Sequence, residues 1–284
     1  VPCANPDGAT HVFAGHATWR KNARDNNGDG VLGDGDGVDL NRNYPAAWGG
    51  VCAGSSNDPG TPIYRGPGPT SEPEVAAIRD LAARFPPVVA LDVHAAGEVV
   101  YVAPSCHPNW APHVGDEVLG AAVASDFAAR AVQADGEAGF ALEAFGQPVD
   151  GVCRDTMAAE FGALAFVAEI NNADEGGYAP DYATWRDPTV AGLRPALAWL
   201  LDRVLDGPGL SLRIRDAVSG APVAARVTLE GLLDDRPSPG PPTPTRGGCT
   251  PCSCLARTPH MSWRRTTSRD RSPCRRHKSG CGWT

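Results

Sequence analysis

Five polar side chains have the types and spacing of a hydrolytic site. Asn41 and Arg42 place an amide beside a guanidinium. An arginine fork can hold a carboxylate with two parallel hydrogen bonds, and the neighbouring asparagine can add a third. Arg20 supplies a second cation upstream, His94 ends an apolar run, and Glu169 interrupts another. Two anion-binding arginines, one candidate metal ligand and one candidate general base predict a hydrolase site.

A second set of oxygen ligands occupies a separate polar loop. Asp25, Asn27 and Asp29 alternate along the chain, a glycine follows, and Asp36 comes eleven residues after Asp25. This spacing resembles the start of a calcium-binding loop, with a shorter acid than usual at the last position. The alternative is a polar turn rich in Asn, Gly and Asp.

The elements that must position these residues alternate between helices and strands. His94 and Glu169 each belong to a run that is almost wholly apolar, which is typical of a strand buried on both faces. We expect a strand-and-loop segment over residues 1–18. The predicted helices cover about 73–85, 113–133, 155–162 and 187–205, and the predicted strands about 88–94, 99–103 and 165–170. This order favours an α/β fold.

Composition divides the 284 residues unevenly. The net charge of −8 conceals a segment, 236–284, that holds nine Arg, one Lys and one Asp, for a net charge of +9, so residues 1–235 carry −17. That segment contains no Val, Ile or Phe, and we expect it to be disordered. We predict a catalytic domain over 1–206, a partial β-segment over 209–235 that alternates like a hairpin, and a basic tail over 236–284.

The order of motifs resembles that of the zinc metallocarboxypeptidases, peptidase family M14. The matching stretches are NPDG at 5–8, WRKNAR at 19–24, GVDLNRNY at 37–44, YRGPGPTSEPEVAAI at 64–78, DVH at 92–94 and FVAEI at 166–170. The resemblance covers about residues 1–205, and the sequence after it resembles the opening strands of a transthyretin-like β-sandwich. The resemblance to the metallocarboxypeptidases implies an α/β domain whose mixed sheet is flanked by helices.

The resemblance also assigns roles. It implies that His94 is a zinc ligand, that Glu169 is the general base and that Arg20 stabilises the oxyanion. Asn41 and Arg42 would bind the terminal carboxylate of a peptide, and Asp39 would orient an imidazole. The substrates would be peptide or protein C-termini. We expect Zn²⁺ as cofactor, Ca²⁺ as a second candidate, no nucleic-acid partner, no membrane span and a monomer.

Arg154 occupies the position that the family places at the base of its side-chain pocket. A guanidinium there would attract an acidic side chain and repel a basic one, so we predict substrates that end in Glu or Asp. In the alternative interpretation Arg154 points to solvent or pairs with Asp150 or Asp155, and the pocket is unspecific.

Two departures from the family pattern affect these expectations. No His-x-x-Glu motif is present, so we expect the C-terminal portion of a catalytic domain that binds zinc weakly or is inactive. Gln147 stands where the family has a substrate-capping tyrosine. A non-catalytic carboxylate-binding module and an amidase of cell-wall peptides remain alternatives.

The cysteine pattern indicates the compartment in which the protein works. Cys3, Cys52, Cys106 and Cys153 are dispersed through the enzyme-like part and allow three pairings. They favour a secreted or extracellular protein, whereas buried free thiols are the other interpretation.

Overall fold

A four-stranded mixed sheet lies between two layers of helices. The computed structural model describes residues 1, 3–50, 52–106, 114–137, 139–143, 148–207, 214–223, 225–229 and 261–265. The strands are β1 (Val89–Ala95), β2 (Val99–Val102), β3 (Ala141–Glu143), β4 (Leu164–Ile170), β5 (Ala225–Leu229) and β6 (Met261–Arg265). The helices are α1 (Pro6–Phe13), α2 (Pro73–Arg84), α3 (Val114–Ala128), α4 (Cys153–Phe161) and α5 (Tyr182–Leu205).

The two apolar runs form the centre of the sheet. The strand order is β1-β4-β2-β3, in which β1 pairs with β4 in parallel and β2 pairs with β4 antiparallel. Because side chains alternate between the faces of a sheet, one face of β4 presents Phe166 and Ala168 and the other presents Ala165 and Glu169. The α/β fold with a mixed sheet flanked by helices is therefore confirmed.

Each face of the sheet has its own core. On one face, Phe127 of α3 meets Phe166 edge-on, with 5.3 Å between ring centroids, and Leu193 of α5 packs beside them. On the other face, Val75 of α2 and Met157 of α4 cover Ala165. Glu169 and His94 belong to the second face, so α2 and α4 lie on the same side of the sheet as the candidate site.

Residues 19–72 are largely irregular and are held by buried side chains. The ammonium group of Lys21 donates to the carbonyl oxygen of Pro59 at 2.8 Å. Glu72, which is 1% exposed, accepts hydrogen bonds from Asn22 at 2.8 Å, Arg24 at 3.0 Å and Ser71 at 2.7 Å. These bonds replace a backbone ladder in fixing the loops.

Some elements differ from the sequence-based expectation. The predicted strand-and-loop at the start of the chain is wrong, because Pro6–Phe13 forms helix α1. Asn5 caps it by accepting from the amide of Gly8, and proline at the first helical position is preorganised for a helix. The helix predicted over about 113–133 ends earlier, at Ala128.

Within the described residues of 209–235, the predicted hairpin is seen near its turn. Arg215 and Pro222 form an antiparallel bridge, whereas β5 pairs with β6. Strand β6 lies inside the segment that we expected to be disordered, and the other residues of 236–284 lie outside the described ones. Residues 208–213 also lie outside, and the domain boundaries remain predictions. Among the described helices, none combines the length and apolar character needed to cross a membrane.

Candidate active site

The two chemical groups on the sheet lie opposite each other. His94 of β1 and Glu169 of β4 are register partners in the parallel ladder. Directly paired residues in adjacent strands project to the same face. The backbone ladder therefore brings a candidate metal ligand and a candidate base together, although 75 residues separate them in sequence.

The imidazole of His94 is held by Asp92. Asp92 Oδ2 lies 3.3 Å from Nε2 of His94, and Asn41 Nδ2 lies 3.3 Å from the same nitrogen. A carboxylate accepts from an N–H, whereas an amide N–H donates to a lone pair, so these two contacts to Nε2 belong to different tautomers. In the tautomer in which Nε2 donates to Asp92, Nδ1 keeps its lone pair. Burial alone would lower the pKa of His94, but the hydrogen bond and charge of Asp92, with Glu169 and Asp39, raise it.

Glu169 is a partly buried carboxylate among cations. Burial raises its pKa, and the negative charge of Asp92 acts in the same direction. His94, Arg154 and Arg20 oppose the rise. A carboxyl group whose pKa is raised is a better proton acceptor than a free one, which suits a general base.

Asp39 organises the arginines. Its side chain accepts from the amide of Asn41 at 3.1 Å and so begins the 3-10 helix Leu40–Arg42. It also lies 2.8 Å from Nη2 of Arg20 and 3.9 Å from Nε of Arg42. Asp39 therefore pairs with both arginines, and Asp92 is the carboxylate that contacts the imidazole of His94. That Asp39 orients an imidazole stays a prediction.

Asn41 and Arg42 are also held by the protein. Asn41 Oδ1 accepts from the amide of Cys153 at 2.8 Å, which ties the 3-10 helix to the first turn of α4. Arg42 donates from Nε to the carbonyl oxygen of Gly54 and from Nη1 to that of Asn41 at 2.7 Å. Among the described residues, none accepts a hydrogen bond from Nη2, which leaves that group for a ligand.

A cavity of about 510 Å³ opens beside these residues. Of the predicted site residues, Arg20, Asn41 and His94 line it. Arg42, Arg154 and Glu169 do not line it. The other lining residues are Ala4, Asn5, Ala17, Thr18, Trp19, Asp39, Leu40, Tyr44, Asp92, Ala95 and Tyr178.

Arg154 is buried in the first turn of α4. Its side chain is 9% exposed, and its Nε lies 3.9 Å from Asp155 Oδ1. Its guanidinium carbon lies 5.7 Å from the centroid of the Tyr101 ring. Burial lowers the pKa of Arg154, and Asp155 and Glu169 partly offset that effect. The structure therefore excludes an Arg154 that points to solvent, whereas the alternative of an ion pair with Asp155 agrees with the 3.9 Å separation.

The polar loop brings three carboxylates together. Oxygen atoms of Asp25, Asp29 and Asp36 lie within 4.8 Å of one another. Asp25 accepts from the amides of Gly28 and Gly30 at 2.6 and 2.8 Å. The side chain of Asn27 accepts from the amide of Asp29. Backbone amides therefore hold the loop closed, and the calcium site stays a prediction.

Sequence reasoning missed Asp92 and Tyr101. Asp92 lies two residues before His94 in a strand, so period-two alternation alone places the two side chains on one face. No local pattern indicated Tyr101, because its place on the same face of the sheet as Glu169 depends on the pairing of β2 with β4. Gln147, at the expected tyrosine position, lies outside the described residues.

One disulfide forms among the four cysteines of the enzyme-like part, and the other two remain free thiols. Cys52 and Cys106 form a disulfide that joins residues 54 apart. Cys3 and Cys153 are free, the first exposed and the second partly buried. Burial raises the pKa of the Cys153 thiol, which argues against a nucleophilic role for it.

Curated relatives are similar over about a quarter of the chain. The chain is 45% identical over 74 residues to carboxypeptidase A5 from Homo sapiens, which covers 26% of this chain and 16% of that protein. It is 42% identical over 80 residues to carboxypeptidase B from Astacus astacus, which covers 28% and 25%. A metallocarboxypeptidase A-like protein from Trichophyton verrucosum is 43% identical over 76 residues, 27% and 16% of the two chains. The chain thus spans 16–25% of the length of these relatives.

Solved structures share the fold. Carboxypeptidase A from Helicoverpa armigera superposes with a TM-score of 0.57 at 24% identity, over 70% of this chain and 49% of that one. Bovine thrombin-activatable fibrinolysis inhibitor, solved with tick carboxypeptidase inhibitor, gives 0.59 at 22% identity, over 73% and 69%. The family model described as zinc carboxypeptidase, Peptidase_M14, matches residues 1–182. This chain belongs to the Peptidase_M14 zinc carboxypeptidase family.

Proposed function

We propose that the protein is a zinc-dependent metallocarboxypeptidase that removes the C-terminal residue of peptides. The observation that carries the proposal is the pairing of His94 with Glu169 across β1 and β4, beside a cavity that Arg20 and Asn41 line. The candidate ligand and two anion-binding groups line that cavity, and the candidate base projects from the same face of the sheet as His94.

His94 fits zinc as one ligand. When Nε2 donates to Asp92, Nδ1 keeps a lone pair that could bind the metal, and such carboxylate–histidine pairs are common beside bound zinc. Among the described residues, no group of three His, Cys, Asp or Glu ligand atoms includes His94. Zinc bound at this histidine would polarise a substrate carbonyl and an attacking water. The described residues complete only this one coordination position, so the steps below are assigned to side chains.

Glu169 would accept a proton from the attacking water and return it to the leaving amine. The guanidinium of Arg20 would stabilise the oxyanion that forms on the former carbonyl oxygen. Arg20 is 38% exposed and bound to Asp39 on one edge, so it can present its other edge to the cavity. These roles need no movement of the sheet.

The terminal carboxylate of the substrate would bind Asn41 and Nη2 of Arg42. Because the carbonyl oxygens of Gly54 and Asn41 fix Nε and Nη1, the guanidinium is oriented before the ligand arrives. A preorganised donor loses less entropy on binding. Recognition of a free carboxylate restricts cleavage to chain ends.

In the test, the zinc-supplemented protein is incubated with a peptide that ends in a free carboxylate and, separately, with the same peptide as its C-terminal amide. Mass spectrometry identifies the products. We expect loss of one C-terminal residue from the acid and no reaction of the amide. Cleavage inside the peptide, or equal cleavage of the amide, contradicts the proposal. A protein that binds the acid and leaves it intact is a binding module.

We further propose a preference for acidic C-terminal residues, read by Arg154. Its Nε is buried and has no hydrogen-bond partner within the described chain, so an incoming carboxylate would gain a charge-assisted bond. The kcat/KM for a peptide ending in Glu should exceed that for matched peptides ending in Leu or Lys by about tenfold or more. Arg154→Ile should remove the difference, and an unchanged ratio would exclude Arg154 as the reader.

The Asp25–Asp36 loop is proposed to bind Ca²⁺. Its three carboxylates converge at the spacing that a shared cation allows. Saturation with Ca²⁺ at about 100 times Kd should raise the free energy of unfolding by about 2.7 kcal/mol. Asp29→Asn should reduce the gain, whereas an unfolding midpoint that Ca²⁺ leaves unchanged contradicts the site.

We propose a secreted or extracellular monomer. The Cys52–Cys106 disulfide supports this location, because such bonds persist in oxidising compartments. Thiol labelling of protein from the culture medium should find this pair protected, and light scattering should give the mass of one chain. Labelling of both cysteines, or a dimer mass, contradicts the proposal.

A further inference from the structure

Tyr101 lies on the site face of the sheet, one strand from Glu169. In the antiparallel pairing of β2 with β4, Val99 is opposite Glu169 and Tyr101 is opposite Val167. Opposite residues share a face, so the Tyr101 side chain leaves the sheet on the same side as Glu169. Val100 and Val102, which alternate with it, point into the other core.

The ring of Tyr101 supports the guanidinium of Arg154. The Arg154 Cζ lies 5.7 Å from the ring centroid, within the range of a cation–π contact. This contact is one of few constraints on Arg154, because its Nε has no hydrogen-bond partner among the described residues. The ring face covers one side of the guanidinium and leaves its edge free to donate.

Asp155 does not satisfy Arg154. Although its Oδ1 is 3.9 Å from Nε, that distance exceeds a hydrogen bond. The Asp155 carboxylate instead accepts from the amides of Ser105 and Cys106 at 2.9 and 3.0 Å and from the Ser105 hydroxyl at 2.8 Å. The aspartate is committed to the loop after β2, so the guanidinium keeps its donors for a ligand.

We infer that Tyr101 is a second specificity-determining residue, whose ring orients Arg154 and whose hydroxyl donates to the side-chain carboxylate of a C-terminal Glu or Asp. This inference rests on the proposed acidic preference and adds a residue to it. Burial, with the charges of Glu143 and Glu169, raises the pKa of Tyr101, so the phenol remains protonated. A protonated phenol and a guanidinium both donate, which favours an anionic side chain over a basic one.

The test measures the Kd of N-acetyl-L-glutamate and of N-acetyl-L-leucine by calorimetry, which requires no turnover. In the wild-type protein we expect the glutamate compound to bind about tenfold or more tightly. Tyr101→Leu should reduce that ratio about tenfold and Tyr101→Phe about threefold, because phenylalanine keeps the ring and loses only the hydroxyl. In an Arg154→Ile background, Tyr101→Leu should change the ratio less than twofold.

A matched control exists on α5. Arg186 lies 5.4 Å from the ring centroid of Tyr182, which is 60% exposed on α5, so this is a pair of the same chemistry away from the sheet face of Glu169. Tyr182→Leu should leave both Kd values unchanged. This variant separates loss of a general tyrosine–arginine contact from loss of the contact at the site.

The possible outcomes separate the role of Tyr101 from the acidic preference attributed to Arg154. If Arg154→Ile removes the ratio and both Tyr101 variants keep it, the role of Tyr101 is overturned and the acidic preference stands. If Tyr101→Leu weakens both compounds equally, Tyr101 supports the fold and does not read the side chain. If Arg154→Ile leaves the ratio at the wild-type value, the acidic preference itself fails, and the inference fails with it.

Discussion

Two halves of the site are built in different ways. The sheet half carries His94 and Glu169 on adjacent strands, and backbone hydrogen bonds set their relative position. The loop half, within residues 19–72, carries Arg20, Asn41 and Arg42. Individual side chains hold it, chiefly through Glu72, Asn43 and Asp39.

The difference predicts how each half responds to mutation. A ladder depends on the backbone, so changing a side chain in the sheet half should alter chemistry and leave geometry intact. A loop that depends on single buried polar groups should lose both its geometry and its stability when one of them is removed. Substrate binding and fold stability are therefore coupled in the loop half and separate in the sheet half.

The largest effect is expected for Glu169→Gln. It removes the proton acceptor, so kcat should fall about 10³-fold or more while KM changes little. Because burial already disfavours the charge of Glu169, the neutral isostere should unfold at a midpoint no lower than that of the wild type. Steady-state kinetics and thermal unfolding measure the two quantities, and near-normal turnover would remove Glu169 from the mechanism.

The next effect is on the loop half. Glu72→Ala removes a carboxylate that is 1% exposed and accepts from Asn22, Arg24 and Ser71. Breaking such a buried charge network costs about 3–5 kcal/mol of unfolding free energy. Binding of carboxylate ligands should weaken in parallel.

Glu74→Ala is the matched control for Glu72→Ala. Glu74 is only partly buried and accepts one hydrogen bond from Asn22, at 3.3 Å. Denaturant unfolding should show a much smaller loss of unfolding free energy for Glu74→Ala than for Glu72→Ala. Equal losses of unfolding free energy in the two variants would mean that Glu72 stabilises the loop half no more than Glu74 does.

A smaller effect is expected for Asp92→Asn. The neutral amide oxygen accepts from His94 Nε2 more weakly than a carboxylate does, so the imidazole is less firmly oriented and less basic. Loss of such a partner typically lowers metal affinity about 10–100-fold. Competition with a chromophoric chelator measures zinc affinity, and Asp80→Asn, an exposed change on α2, serves as control. Equal zinc affinity in Asp92→Asn and wild type would contradict the assignment of His94 as a ligand.

The sequence predicted the sheet half better than the loop half. Continuous apolar runs define β1 and β4, so the strands of His94 and Glu169 were predicted within about one residue of their bounds. The order β1-β4-β2 was not predictable in this way, because pairing between distant strands leaves no local pattern. Tyr101 was missed for that reason.

In the loop half, periodicity carries no information. The ion pairs of Asp39 with Arg20 and Arg42 were not predicted. Nothing in the local sequence distinguishes these partners, because each contact joins loops far apart in the chain. Helix α1 could have been predicted, since Asn5 followed by Pro6 is a helix-start signal.

The most direct test of the two-half account is calorimetric binding of N-acetyl-L-leucine and of its C-terminal amide to three proteins. The account predicts that the wild type and Glu169→Gln bind the acid about tenfold or more tightly than the amide, because the loop half alone holds the carboxylate. Arg42→Ala should bind the two compounds equally weakly. Equal affinity for acid and amide in the wild type, or an acid preference that survives in Arg42→Ala, would contradict the account.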